Sequence, residues 1–137
     1  MAFPDILDPA TYISQIRTVL GFDTDNATDV PQALIDQFAP VAEATIKKRV
    51  PNYATLENDD LLFLRMATLA AVGAALCEPL RQRMPEKEKS PFFDYTSSVN
   101  WAVKEITLKN DVEVNLAQIS TFTRATLNLF TLAGPQR

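Results

Sequence analysis

Few of the residues that perform chemistry in proteins are present in this chain, and their spacing narrows the choice further. The 137 residues include no histidine, so the commonest general base and metal ligand is missing. Ser-His-Asp and Cys-His nucleophilic arrangements are therefore excluded. The single cysteine, Cys77, cannot pair within the chain, and one thiol without histidine does not make a structural zinc site. Gly21, Gly73 and Gly134 are the only glycines, which rules out a phosphate-cradling loop or dinucleotide fingerprint. Acidic pairs remain. Asp59-Asp60 precedes an apolar run and reads as a helix cap, while Glu86 and Glu88 belong to a solvated charge run. Asp23, Asp25 and Asp29 in FDTDNATD suggest a calcium loop, but the spacing, the glycine and the closing glutamate of an EF-hand are not in place. The sequence thus offers no catalytic residue, no metal ligand set and no cofactor site, and a non-enzyme is expected.

The remaining polar signal is charge. The net charge is −4, which does not suit a protein that coats nucleic acid. Residues 1 to 46 carry seven acids against Arg17 alone, whereas residues 47 to 137 carry twelve cations and ten acids. Two faces of opposite sign, as in head-to-tail assemblies, are one reading of this asymmetry; an acidic loop and helix start that fall early in the chain are the other. Lys47, Lys48 and Arg49 close one apolar run, and Arg81 and Arg83 close another. Cations there complement the carbonyl end of a helix dipole. They could equally touch phosphates or an acidic partner.

The elements that must position these residues are mostly helical. One domain, residues 1–137, is expected, with a helical core over 1–90 and a hairpin and C-terminal segment over 91–137. Asp8 and Pro9 predict a helix start and Gly21 its end, with Tyr12, Ile13, Ile16, Val19 and Leu20 on one stripe. A second helix is expected from near Pro31, with Asp29 as a possible cap, to just before Pro51. Its stripe is Leu34, Ile35, Phe38, Val41, Ala42, Thr45 and Ile46, with a kink at Pro40. The third, Asp59 to Pro85, is apolar almost all the way round and must be covered on several sides. Its middle, Ala67 to Ala75, is thin enough for neighbouring helices to approach closely. Its uninterrupted apolar part, Met66 to Cys77, falls short of the ~20 residues that a membrane span requires, so a core helix and no membrane partner are expected. MAFPDILDPA has no basic region followed by an apolar stretch and does not read as a secretory leader.

After Pro91 the pattern changes. Phe92, Phe93, Tyr95 and Trp101 crowd a short segment, either closing the core or marking an interface. Ile106 and Leu108, then Val112, Val114 and Leu116, alternate on either side of Asn110-Asp111, which predicts a β-hairpin near residues 103–116. Ile119, Phe122, Thr126, Leu129, Phe130 and Ala133 suit a C-terminal helix. The expected fold is therefore mainly α, a small helical bundle around a long Ala-rich central helix with one hairpin.

The runs DPATYISQIRTVLGFD, VPQALIDQFAPVAEATIKKRVPNY and DDLLFLRMATLAAVGAALCEPLRQRMP, in that order, resemble the head-to-tail connector (adaptor, or head-completion) proteins of tailed bacteriophages. The likeness covers roughly residues 8 to 90 and lies in the order and character of the helices. It implies a homo-oligomeric ring, usually of twelve copies, in the virion neck. The ring would be assembled in the host bacterial cytoplasm and docked beneath the portal protein. A downstream neck or tail protein would attach on its far side, and DNA would pass through the lumen without sequence-specific binding. It also implies that residues 116–137 could reach the portal. Residues whose types suit contacts are Lys47, Lys48, Arg49, Arg81, Arg83, Phe92, Phe93, Tyr95, Trp101, Ile106, Val112, Val114 and Phe130. The alternative is a small cytoplasmic helical module that binds or regulates another protein.

Overall fold

A computed structural model describes residues 3–83 and 100–119. In order these form α1 (Tyr12–Val19), α2 (Gln32–Arg49), a short 3-10 turn (Tyr53–Thr55), α3 (Asn58–Arg83) and α4 (Trp101–Gln118).

Local chemistry explains most of the boundaries. The Asp8 carbonyl accepts from the amides of Thr11 and Tyr12, and the Asp8 carboxylate accepts from the Ala10 amide at 2.9 Å. Asp8 therefore does nucleate the first turn, but regular helix begins only at Tyr12. Gly21, at φ 94°, ends α1. Its amide donates to Thr18 O while the Phe22 amide donates to Arg17 O. That pair of bonds is the Schellman closure, which requires a left-handed residue that glycine adopts without steric cost. α2 runs through Pro40 as one helix. Its buried residues are Ile35, Ala39, Ala42, Glu43, Ile46 and Lys47. The inward stripe is therefore rotated from the apolar pattern, and Val41 lies 67% exposed.

α3 is the centre of the molecule and packs against α4, α2 and α1, most extensively against α4. Its buried residues, from Leu64 through Leu80, include Ala67, Ala70, Gly73 and Ala74. The helix is long and apolar enough to cross a membrane by composition alone. Here its inner length is covered by the other helices, the common situation of an all-round apolar helix in a bundle. The closest approach is at Gly73, where an added Cβ would lie 3.1 Å from a Leu108 methyl of α4 and 3.2 Å from a Val19 methyl of α1.

The hairpin expected over residues 103–116 is not formed, because that stretch lies within α4. Asn100 caps the helix by accepting from the Val103 amide at 3.2 Å. Trp101, Leu108, Val112 and Leu116 are buried along one side. The alternation was ambiguous, since Leu108, Val112 and Leu116 also recur at the four-residue spacing of a helix face. The energetics favour the helix. Asn110 and Asp111 inside a helix cost at most ~0.7 kcal/mol each relative to Ala. Each large apolar side chain laid against α3 is worth about 1.5–3 kcal/mol. The expected C-terminal helix lies outside the described residues, apart from Ile119, which leaves α4 with extended backbone (φ −74°, ψ 126°).

Candidate interaction surface

Charged side chains, Glu43 and Arg17 buried and Arg65 at the surface, hold segments of chain in place. Glu43 is almost fully buried on α2. Its carboxylate accepts from the amides of Asp5 at 2.9 Å, Ile6 at 2.8 Å and Leu7 at 3.1 Å. Arg65 of α3 donates from Nε to the Ile6 carbonyl at 2.9 Å. The N-terminal segment is thus gripped by its amides from one helix and by a carbonyl from another. Arg17 works similarly on the loop before α2, donating to Val30 O at 2.9 Å and to Thr24 O at 3.0 Å. These three charges satisfy backbone groups that burial would otherwise leave unpaired.

The cluster Lys47-Lys48-Arg49 does not form one basic patch. Lys47 is buried, bonds Asp5, lies 3.8 Å from Glu43 and sits over the Tyr53 ring at 5.2 Å. Burial pushes its ammonium down, but Asp5, Tyr53 and Glu43 outweigh that and leave it raised. Lys48 is exposed. Arg49 forms a two-pronged pair with Glu113 of α4, at 2.6 and 2.8 Å. That hydrogen bond raises the guanidinium against the cost of burial and holds the Glu113 carboxyl below its usual range. Arg81 pairs with Glu78 at 2.5 Å, and Arg83 donates to Thr28 O at 3.3 Å.

The apolar candidates divide. Trp101 is internal and stacks on Phe22, with ring centroids 6.3 Å apart. Val112 is also buried. Ile106 and Val114 face outward, 68% and 49% exposed, and Val103 joins them at 54%. With Asn110 and Ala117, also exposed, they make an uncharged stripe along the outer face of α4. Phe92, Phe93, Tyr95 and Phe130 lie outside the described residues. Sequence reasoning missed the continuity of this stripe because it assigned the segment to a hairpin. The spacing 103, 106, 110, 114, 117 was the available signal.

No protein-family model, curated protein or solved structure matches this chain. The site must therefore be read from its own geometry. Among the described residues no group of three or more acids and thiols could hold a metal ion. In the aspartate-rich loop, Asn26 and Asp29 bond to one another instead, at 3.0 and 3.1 Å. The Cys77 thiol donates to Gly73 O at 3.3 Å, and burial pushes it up to about 11, far from thiolate chemistry at neutral pH. An uncharged helix face on a rigid support is suited to contact with another macromolecule.

Proposed function

We propose that this chain is a structural subunit of a head-to-tail connector, forming a ring beneath a phage portal through which DNA passes and to which a neck or tail protein attaches. The observation that carries the reading is the uncharged outer stripe of α4. A soluble-facing helix normally presents charge, and exposed contiguous aliphatic residues mark association surfaces. The order and character of the helices before it are the pattern that resembles connector proteins, and the acid-rich N-terminal third is a separate feature that suits a lumen wall. An acidic lumen wall would let DNA slide past without adhering, since like charges repel. Electron microscopy and mass measurement of the purified chain, alone and mixed with portal rings, test the proposal. Rings or portal-bound collars are expected. A strictly monomeric chain in both samples refutes it.

A further inference from the structure

The outer stripe of α4 reads the same in both directions. Val103, Ile106, Asn110, Val114 and Ala117 are separated by steps of three, four, four and three, so Asn110 stands at the centre. Steps of three and four make the seam along which paired helices pack. A seam with this symmetry fits a copy of itself laid antiparallel across a two-fold axis at Asn110. Ile106 then meets Val114 of the second copy, and Val103 meets Ala117. Each contact sets a larger side chain against a smaller one, as interdigitation requires. Asn110 meets itself. A side-chain amide carries donors and an acceptor, so two can bond each other, and one asparagine in an apolar seam fixes the register of paired helices.

The charges fit the same arrangement. None lies on the stripe, and Thr107 and Gln118 keep one edge neutral. Lys109 and Glu113 lie toward the other edge, with side chains 66% and 58% exposed. In an antiparallel two-fold pair each edge faces its own counterpart, so Lys109 of one copy comes beside Glu113 of the other, twice. The Glu113 carboxylate, held by Arg49, keeps lone pairs for a second cation. A parallel pair would lay this edge against the neutral one and form neither contact. We infer that the free chain pairs with a second copy of itself through antiparallel α4 helices centred on Asn110. Such a contact closes after two copies and cannot build a ring, so the pair is a state of the unassembled chain that covers the stripe before a ring forms. The inference rests on the reading of that stripe as an association surface and not on the portal. α4 has 18 residues and is about 27 Å long. One such helix pair offers less than the roughly 800 Å² per partner of a stable complex, so the pair comes apart on dilution.

Cysteine cross-linking of the concentrated full chain tests the geometry, with Cys77 left in place because it is buried. Axes of packed helices lie ~8–10 Å apart, which brings facing Cα atoms within the ~4.4–6.8 Å that a disulfide spans. Asn110→Cys should therefore give a disulfide-linked dimer under mild oxidation. Ile106→Cys alone should not, because its two copies stand eight residues apart along the seam, about 12 Å. Ile106→Cys mixed with Val114→Cys should give the mixed dimer. No cross-link at Asn110→Cys, or equal cross-linking of Ile106→Cys alone, overturns the proposal. Ile106→Glu changes an exposed residue and should abolish the concentration-dependent dimer in sedimentation equilibrium without lowering the melting temperature; a dimer that persists overturns the proposal. Collars on portal rings from a chain that does not pair would overturn this inference and leave the connector reading standing. A pairing chain that never joins portal rings would do the reverse.

Discussion

Replacing Glu43 by glutamine should loosen the N-terminal segment far more than the loss of one surface charge would. The substitution preserves shape but leaves a single carbonyl oxygen where two carboxylate oxygens accept three amides. If that oxygen keeps Ile6 and Leu7, the new amide group faces the Asp5 N–H, donor against donor. The two retained bonds also weaken, because hydrogen bonds to a charged acceptor contribute about 1.5–3 kcal/mol and neutral ones ~0.5–1.5 kcal/mol. Lys47 meanwhile loses one of its two carboxylate neighbours. Together these place the cost of Glu43→Gln at about 2–3 kcal/mol, and that of Glu43→Ala at about 3–5 kcal/mol, the range for breaking a buried charged cluster. Hydrogen exchange separates local from global effects. In Glu43→Gln the amides of Ile6 and Leu7 should exchange roughly 30- to 150-fold faster, each 1.4 kcal/mol being about tenfold. Urea denaturation should show the same loss if the segment unfolds with the bundle. A variant with unchanged protection at Ile6 and Leu7 and a stability within about 0.5 kcal/mol of the parent would refute the argument that Glu43 anchors this segment.

Three further outcomes follow from the geometry. The Arg49–Glu113 pair lowers the carboxyl in the folded chain, so its stabilisation is present above the unfolded glutamate value, near about 4.3, and is lost as pH falls through the folded one. Glu113→Gln should cost under about 1 kcal/mol at neutral pH, because the pair is partly solvated, and progressively less as pH falls below ~4.3 and the carboxyl protonates; a series of urea curves from neutral to acid pH checks this. Cys77, 1% exposed with its thiol at about 11, should resist thiol-specific reagents at pH ~8 until denaturant is added, and stoichiometric labelling of the native chain would contradict its placement. Gly73→Leu should destabilise the protein by about 1–3 kcal/mol or more through overpacking, measured by thermal melting. Gly73→Ala should fall much closer to the parent, with better helix propensity offset by the close Leu108 and Val19 methyl groups.

The first three helices were legible because their signals are local. Asp8, Gly21 and the proline-bounded runs mark starts and stops within a few residues of where they occur. The apolarity of α3 likewise foretold its central position. α4 was misread because two periods share Leu108, Val112 and Leu116, and a short polar pair resembled a turn. Only the need of α3 for cover decides between them, and that is a tertiary fact. The role of Glu43 was equally hidden. It occupies an ordinary place in an amphipathic helix, and the amides it binds lie 36 to 38 positions away. The basic cluster at the end of α2 was visible as a cluster, yet its division into one internal, one exposed and one bridging cation depends on partners in other segments.

The grip on residues 5–7 has a practical bearing on how this protein can be handled. A chain shortened to begin at Asp8 would keep every described helix but strip the Glu43 carboxylate of its three amide donors and the Arg65 guanidinium of the Ile6 carbonyl. Such a truncation, harmless by the usual rule that termini are dispensable, should yield a poorly soluble or destabilised product. Fusions are better placed upstream of Asp5 through a flexible spacer, so that the three amides still reach the carboxylate.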